Sequence, residues 1–239
     1  MGKGIYVATS GATARQRQIE VVANNVANAS TPGFRKVGLA FEEVLGDTLK
    51  APNRHLVGAS EPRLSTEAGP IQETGRDLDL ALTGDGYFVT EDVAGNQFLQ
   101  RTVSLRLTED GKFVDSAGRE LRMDHSGEVD PNKAIAIDPR GMMTQEDQVI
   151  GRIEVRALFE NEGALEPVGG GAYTTNDRSG EGLPVETSHV VQGALEGSNV
   201  VPVESMVELI TAEREFQSLT KVIQAYREAD DALIDSTNR

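Results

Sequence analysis

Two stretches at opposite ends of the chain share one apolar spacing, and the residues between them follow another. Ile5, Ala8, Ala12, Ile19, Val22 and Val26 advance in steps of three and four, with Arg15 as the one polar interruption. Leu209, Ala212, Phe216, Leu219, Ile223, Tyr226 and Leu233 do the same, with Asp230 as the interruption. A stripe that recurs about every 3.5 residues is stable only when a partner covers it. The spacing therefore predicts two long terminal helices, the last folded back on the first, with room for further partners from neighbouring copies.

The first helix is expected over residues 4–29, ending where Ser30-Thr31-Pro32-Gly33 supplies turn chemistry. The last is expected to start at Pro202, which suits a first helical turn, with Glu204 placed to favour the helix dipole. It should run to about residue 236, on the order of 50 Å at 1.5 Å per residue. Phe41-Glu42-Glu43-Val44-Leu45 reads as a short amphipathic stretch. Residues 50–70, punctuated by Pro52, Gly58, Pro62, Gly69 and Pro70, read as a loop-like linker.

Beyond residue 70 the apolar period changes to two. Leu78, Leu80 and Leu82 alternate with Asp77, Asp79 and Ala81, the pattern of a strand with one buried face and the two aspartates in solvent. Val103, Leu105 and Leu107 repeat the pattern. Turn signals at Gly84-Asp85-Gly86, Glu109-Asp110-Gly111-Lys112 and Ser116-Ala117-Gly118 separate short strands, and Ile135-Ala136-Ile137 and residues 150–159 complete the set. Gly169-Gly170-Gly171 reads as part of a flexible loop. The expected class is α+β, with N- and C-terminal helices paired as a coiled-coil-like unit and an inserted, mainly antiparallel β domain. The divisions fall at residues 1–65, 66–190 and 191–239.

Charge and composition narrow the function. With 23 Lys and Arg against 38 Asp and Glu, a net charge of −15, the chain has no broad field for phosphate, so no nucleic-acid partner is expected. Arg15, Arg17, Arg35 and Lys36 are the only dense basic candidates. No apolar run approaches the roughly 20 residues that span a bilayer, so membrane insertion is not expected, and the first residues lack the apolar stretch of a cleaved secretory signal. Cysteine is absent, and His55, His125 and His189 are scattered. The glycine triplet has no Lys-Ser or Lys-Thr after it, and the Asp-Gly turns lack the ligand series of a calcium loop. No catalytic residue, metal site or cofactor is expected. Aromatics at 5%, without Trp, leave the core to Val, Leu, Ile and Ala, which suits an elongated molecule that buries apolar surface between subunits.

Three motifs point further. Asn24-Asn25-Val26-Ala27-Asn28-Ala29-Ser30-Thr31-Pro32-Gly33-Phe34, then Leu82-Thr83-Gly84-Asp85-Gly86-Tyr87-Phe88-Val89, then Leu195-Glu196-Gly197-Ser198-Asn199-Val200 with Pro202-Val203-Glu204 after it, occur in that order. The set resembles the axial proteins of the bacterial flagellum, the group of rod and hook subunits. Within the group, the length and the opening Gly4-Ile5-Tyr6-Val7-Ala8 are most similar to the proximal rod members, with the distal ones next. The group's Thr-Arg-x-Gly-x-Phe pattern is altered here to Arg101-Thr102-Val103-Ser104-Leu105, which keeps the arginine and loses the glycine.

The resemblance implies a structural, non-enzymatic subunit of the basal-body rod that polymerises helically into a drive shaft across the periplasm. Its implied partners are other copies of itself, other flagellar rod proteins, and the type III export apparatus that passes it unfolded without signal cleavage. The assembly interface is then expected on the two stripes named above, with Asn24, Asn25 and Asn28 offering amide groups at the helix end. Two other readings stay open. One is a monomeric adaptor whose charged Glu213, Arg214, Glu215 and Lys221 face stays in solvent. The other is a carbohydrate-binding β domain, which would need an aromatic cleft with an acid pair.

Overall fold

A computed structural model describes residues 2–45, 55–124, 127, 129–131, 133–146, 148–157, 165–175, 183–184 and 188–237. His125 lies outside them. The chain divides into a helical unit, of residues 1–27, 37–63 and 201–239, and a β unit, of residues 28–36 and 64–200.

In the helical unit, α1 (Gly2–Ala27) and α2 (Pro202–Thr237) pack side by side. Their contacts run in opposite directions along the chain. A side chain added at Gly4 would meet the Tyr226 hydroxyl at 2.5 Å, and one at Gly11 would meet Leu219 at 3.5 Å. Farther on, Arg15 pairs with Glu215 and the Gln18 amide donates to Glu208. The pair is therefore antiparallel. Ala8, Ala12 and Ala14 of α1 and Ala212 of α2 are buried where the two helices meet, so the backbones approach closely and little large apolar surface is covered.

A hairpin completes this unit. The strand Phe41–Leu45 pairs antiparallel with His55–Ala59 in a five-residue register, and His55–Ala59 packs on α1. The loop reading of residues 50–70 is thus corrected: the strands His55–Ala59 and Arg63–Leu64 lie inside it. Gly58 and Pro62 read as breakers, but Gly58 sits in the ladder opposite Glu42, where a partner strand supplies the hydrogen bonds that local propensity does not. The Val57 N–H also reaches the Ser10 hydroxyl of α1 at 3.3 Å.

The β unit is built from short strands, and every ladder among its described residues is antiparallel. Tyr87–Glu91 is its organising strand. One edge pairs with Gln97–Gln100, and the other is shared by Glu120–Leu121 and Val155–Ala157. A second sheet places Asp79–Thr83 between His189–Gln192 and Thr102–Ser104. The core draws from both, with Leu80, Leu82, Phe88, Val103, Leu105, Phe113, Leu121, Met143, Ile150 and Val190 among its buried members.

Two further readings change. Asp79 is buried, not solvated: its carboxylate accepts from the Thr74 and Ser104 hydroxyls at 2.7 Å each and lies 3.7 Å from Arg76. Asp77 is exposed as expected. The glycine triplet is no loose loop either, since it turns the strand Glu166–Gly169 into Ala172–Thr174. Gly171 has φ +73° and sits directly against the Pro32 carbonyl, so a side chain there is excluded twice, by conformation and by space.

Candidate assembly surface and buried motif cluster

The two stripes face each other along the helix pair. Ala8, Ala12, Val22 and Ala212 are buried, and Ile5, Ile19, Val26, Leu209, Phe216, Leu219 and Ile223 are half-buried. Tyr226 remains exposed, and the side chain of Leu233 lies outside the described residues. Arg15, the polar interruption, reaches across to Glu215 at 2.9 Å and stacks over the Phe41 ring at 4.5 Å. An interruption of the stripe therefore serves as a link between helix and hairpin. It also removes Arg15 from the basic candidates, and Arg35, only 3% exposed, drops out for the same reason.

The asparagines divide. Asn25 is buried and spends its amide inside the chain, donating to the Val37 carbonyl at 2.8 Å and accepting from the Val37 N–H at 2.9 Å. It pins the strand-side chain to the end of α1. Asn28, in the β unit, accepts from the Thr31 hydroxyl at 3.2 Å, within the turn that follows α1. Asn24 is exposed.

Two apolar surfaces of the helical unit were not singled out from the sequence. Val203, Met206, Val207 and Ile210 of α2 are 71%, 50%, 60% and 50% exposed. Their spacing of i, i+3, i+4, i+7 marks a helix face, and the same periodicity argument would have found it. The second surface is a groove of about 630 Å³ floored by Gly4, Ala8, Gly11 and Ala14 and walled by Phe41, Val57, Leu219, Val222 and Tyr226.

In the β unit the three sequence motifs meet in one buried cluster. Arg101 donates to the Leu82 carbonyl at 3.1 Å, the Gly84 carbonyl at 2.8 Å and the Gly86 carbonyl, so it grips the glycine turn that precedes Tyr87. Its Nε donates to Glu196 Oε2 at 3.0 Å. The other carboxylate oxygen accepts from the Gly69 N–H at 3.0 Å and lies 3.7 Å from Arg35 Nε. Arg35 and Arg101 also stand over the Tyr87 ring, at 5.8 and 5.6 Å. All three charged side chains are essentially removed from water. Such an arrangement holds only while each charge keeps its partners.

Backbone and hydroxyl contacts extend the cluster. The Gly33 N–H donates to the Glu196 carbonyl at 2.7 Å. The Tyr173 hydroxyl accepts from the Arg35 N–H at 2.8 Å and donates to the Gly33 carbonyl at 3.0 Å. Burial pushes the Tyr173 phenol well above the ordinary tyrosine range, so it stays a donor throughout the neutral and mildly alkaline range. Asn199 ties two further segments, accepting from the Lys36 N–H at 2.6 Å and donating to the Glu67 carbonyl at 2.8 Å. The altered segment after the central motif thus supplies the arginine at the heart of the cluster, while Thr102–Ser104 remains a regular strand. The segments that enter and leave the terminal helices, residues 28–36 and 196–200, are fastened to the same β unit.

The arrangement offers apolar packing surfaces in the helical unit and a buried polar cluster in the β unit. His189 is exposed, and among the described residues no group of three or more His, Asp or Glu is placed to hold a metal ion. Among those residues, too, no helix is long and apolar enough to cross a membrane.

Comparison with known proteins picks out the two terminal segments. Residues 5–35 match the family model described as flagella basal body rod protein, and residues 191–236 match the one described as flagellar basal body rod FlgEFG protein C-terminal. The chain is 32% identical to the flagellar basal-body rod protein FlgF of Salmonella typhimurium, covering 95% of each chain. It is 30% identical to FlgF of Mesorhizobium japonicum, over 98% of this chain and 97% of that one. It is 31% identical to the flagellar basal-body rod protein FlgG of Agrobacterium fabrum, over 92% and 94%. With both terminal segments matched and the likeness running the full length, the chain belongs to the family of flagellar basal-body rod proteins of the FlgF and FlgG type.

Proposed function

We propose that this chain is a non-enzymatic structural subunit of the flagellar basal-body rod, joining other rod proteins and copies of itself through its terminal helices. One observation carries the reading: α1 and α2 form an antiparallel pair that leaves large apolar residues uncovered on its outer faces, in a chain whose relatives are named as rod proteins. A heterologous contact repeated without closing produces a helical polymer, which is the geometry of a shaft. The two helices then act as a coiled-coil-like assembly element. Export through the flagellar type III apparatus without signal cleavage, and a position crossing the periplasm, belong to the same proposal.

Deletion of residues 209–239 tests it. The truncated chain is expected to keep a folded β unit and to be absent from purified basal bodies, and normal incorporation would overturn the reading. Among rod positions we favour the proximal one, on overall length and on the opening of the chain. In cells lacking this chain, basal bodies are then expected to stop before the distal rod is added. Basal bodies that retain a complete proximal rod would assign the chain to the distal position instead.

A further inference from the structure

The two stripes do not by themselves fix where one helix stands along the other. Ile5, Ala12, Ile19 and Val26 of α1 stand seven residues apart, and so do Ala212, Leu219, Tyr226 and Leu233 of α2. A stripe of that period falls back on itself when one helix slides by seven residues, about 10.5 Å. In the observed register Gly11 lies against Leu219 and Arg15 pairs with Glu215. One heptad towards the start of α2, Gly11 would meet Ala212 and Arg15 would meet Glu208, so the slide meets no clash there and remakes the ion pair. It gives up the 3.3 Å hydrogen bond from Gln18 to Glu208. The Arg15–Glu215 pair is partly in water, where ion pairs discriminate weakly.

A stronger constraint is built into the β unit, where the segment that follows α1 in the chain lies beside the segment that precedes α2. The Gly33 N–H donates to the Glu196 carbonyl at 2.7 Å, and the Asn199 N–H donates to the Phe34 carbonyl at 3.4 Å. Arg35 of the first segment lies 3.7 Å from the carboxylate of Glu196 in the second, and Arg101 reaches the same carboxylate at 3.0 Å, all three side chains buried. The tethers to the helices have little slack. Two successive turns fold the first, the Thr31 N–H donating to the Asn28 carbonyl at 3.0 Å and the Phe34 N–H to the Thr31 carbonyl at 3.2 Å, and Val200 of the second is buried. A slide of a whole heptad cannot occur while both tethers stay as they are. Buried charges of this kind are weak as net stabilisers, and their best-attested use is to specify register.

We propose that the Arg35–Glu196–Arg101 cluster selects the register in which α1 pairs with α2. Its members are positioning residues, acting through residues 28–34 and 197–201 on helices whose stripes leave the choice open. The inference goes beyond the rod reading and is independent of it, because it concerns a single free copy of the chain.

The chain has no cysteine, so register can be read as disulfide closure in the purified full-length protein. Gly11→Cys with Leu219→Cys reports the observed register. Gly11→Cys with Ala212→Cys reports the slide, since those positions are about 10.5 Å out of step and beyond disulfide reach. Gly11→Cys with Glu213→Cys, off the stripe, reports helices that are merely loose. With the cluster intact, the first pair is expected to close about tenfold or more ahead of the second. Asn199→Ala, and more strongly Glu196→Gln, should lower that ratio to about threefold or less while the Glu213→Cys pair stays slow. Met143→Ala, which weakens the buried core outside the cluster, should leave it unchanged. The same ratio in both cluster variants overturns the proposal, and where Glu196→Gln does not fold, Asn199→Ala decides. An equal fall in Met143→Ala overturns it by making general stability the cause. Closure at Glu213→Cys as fast as at Ala212→Cys, or no closure of the first pair with the cluster intact, overturns it as well. None of these outcomes bears on incorporation into the rod.

Discussion

The two units of this chain handle apolar surface in opposite ways. Of the sixteen large hydrophobic residues that stand exposed among the described residues, twelve belong to the helical unit, although it is the smaller of the two. The β unit does the reverse. It buries most of the leucines, isoleucines and aromatics among its described residues, and it buries charges with them: Arg35, Arg101, Glu196 and Asp79 are each no more than 3% exposed. One unit satisfies its own side chains, even the expensive ones, and the other leaves its apolar faces to be covered from outside. A chain divided in this way has its specificity of shape in one part and its capacity for assembly in the other.

Substitutions can break that contrast from either side. The largest effect is expected in the β unit from Glu196→Ala, which leaves Arg35 and Arg101 buried without their carboxylate. A loss of about 3–5 kcal/mol is expected, visible in denaturant unfolding and in amide exchange over residues 64–200. Asp115→Asn should come next. Its carboxylate accepts from Arg119 Nε at 2.7 Å and Gln100 Nε2 at 2.8 Å, as well as from the Arg119 N–H. Burial pulls its pKa up, but the Arg119 N–H, the Gln100 amide and the Arg119 guanidinium together hold it below the ordinary aspartate value. Loss of these charged hydrogen bonds should cost about 1.5–3 kcal/mol at neutral pH.

The sign of the Asp115 contribution follows from that depressed pKa. Its stabilisation is fully present above the ordinary aspartate value of about 3.9 and declines as pH falls from there through the lowered folded value. Denaturation curves of the parent and Asp115→Asn should therefore converge in acid. If the gap between them is constant down to the acid limit, the carboxylate is not the source of the difference.

Smaller effects belong to the helical unit. Ala212→Leu, at a site 1% exposed between closely spaced helices, should overpack the pair and cost about 1–3 kcal/mol, confined to α1 and α2 in amide exchange. Spread of that loss through the β unit would show that the two units unfold as one. Smallest of all, Glu215→Ala should cost about 1 kcal/mol or less, because both members of its ion pair with Arg15 are partly exposed. Amide exchange on the free protein compares the units directly. Faster exchange in both helices than in the β strands is expected, and equal protection throughout would favour a monomer whose ends already satisfy each other.

The helices were legible in the sequence because helical periodicity is a local signal: α1 and α2 end within two residues of their expected limits. The buried leucines Leu80 and Leu82, and the turns at Gly111 and Gly118, followed from alternation and turn chemistry in the same way. What failed is what depends on distant partners. His55–Ala59 is a strand because Phe41–Leu45 lies beside it, and Asp79 is buried because Thr74 and Ser104 supply hydroxyls. The cluster of Arg35, Arg101, Tyr173 and Glu196 joins residues as much as 161 positions apart, from Arg35 to Glu196, and no spacing within a window reports such a contact. Only the motifs hinted at it, by marking three segments that turn out to meet.

The antiparallel pairing of α1 with α2 also sets a schedule. α1 is made before α2, so the face that it turns to α2 has no cover until residues 202–237 emerge, although the Phe41 hairpin can already pack on another face. At about 5–20 residues per second, some 190 residues of synthesis amount to roughly 10–40 seconds with an apolar stripe open to any protein nearby. The strands of the β unit need only one another and residues 28–36, all of them available before α2 exists. Time therefore divides this molecule where packing does: the β unit can close on itself while one apolar face of α1 still waits for its cover.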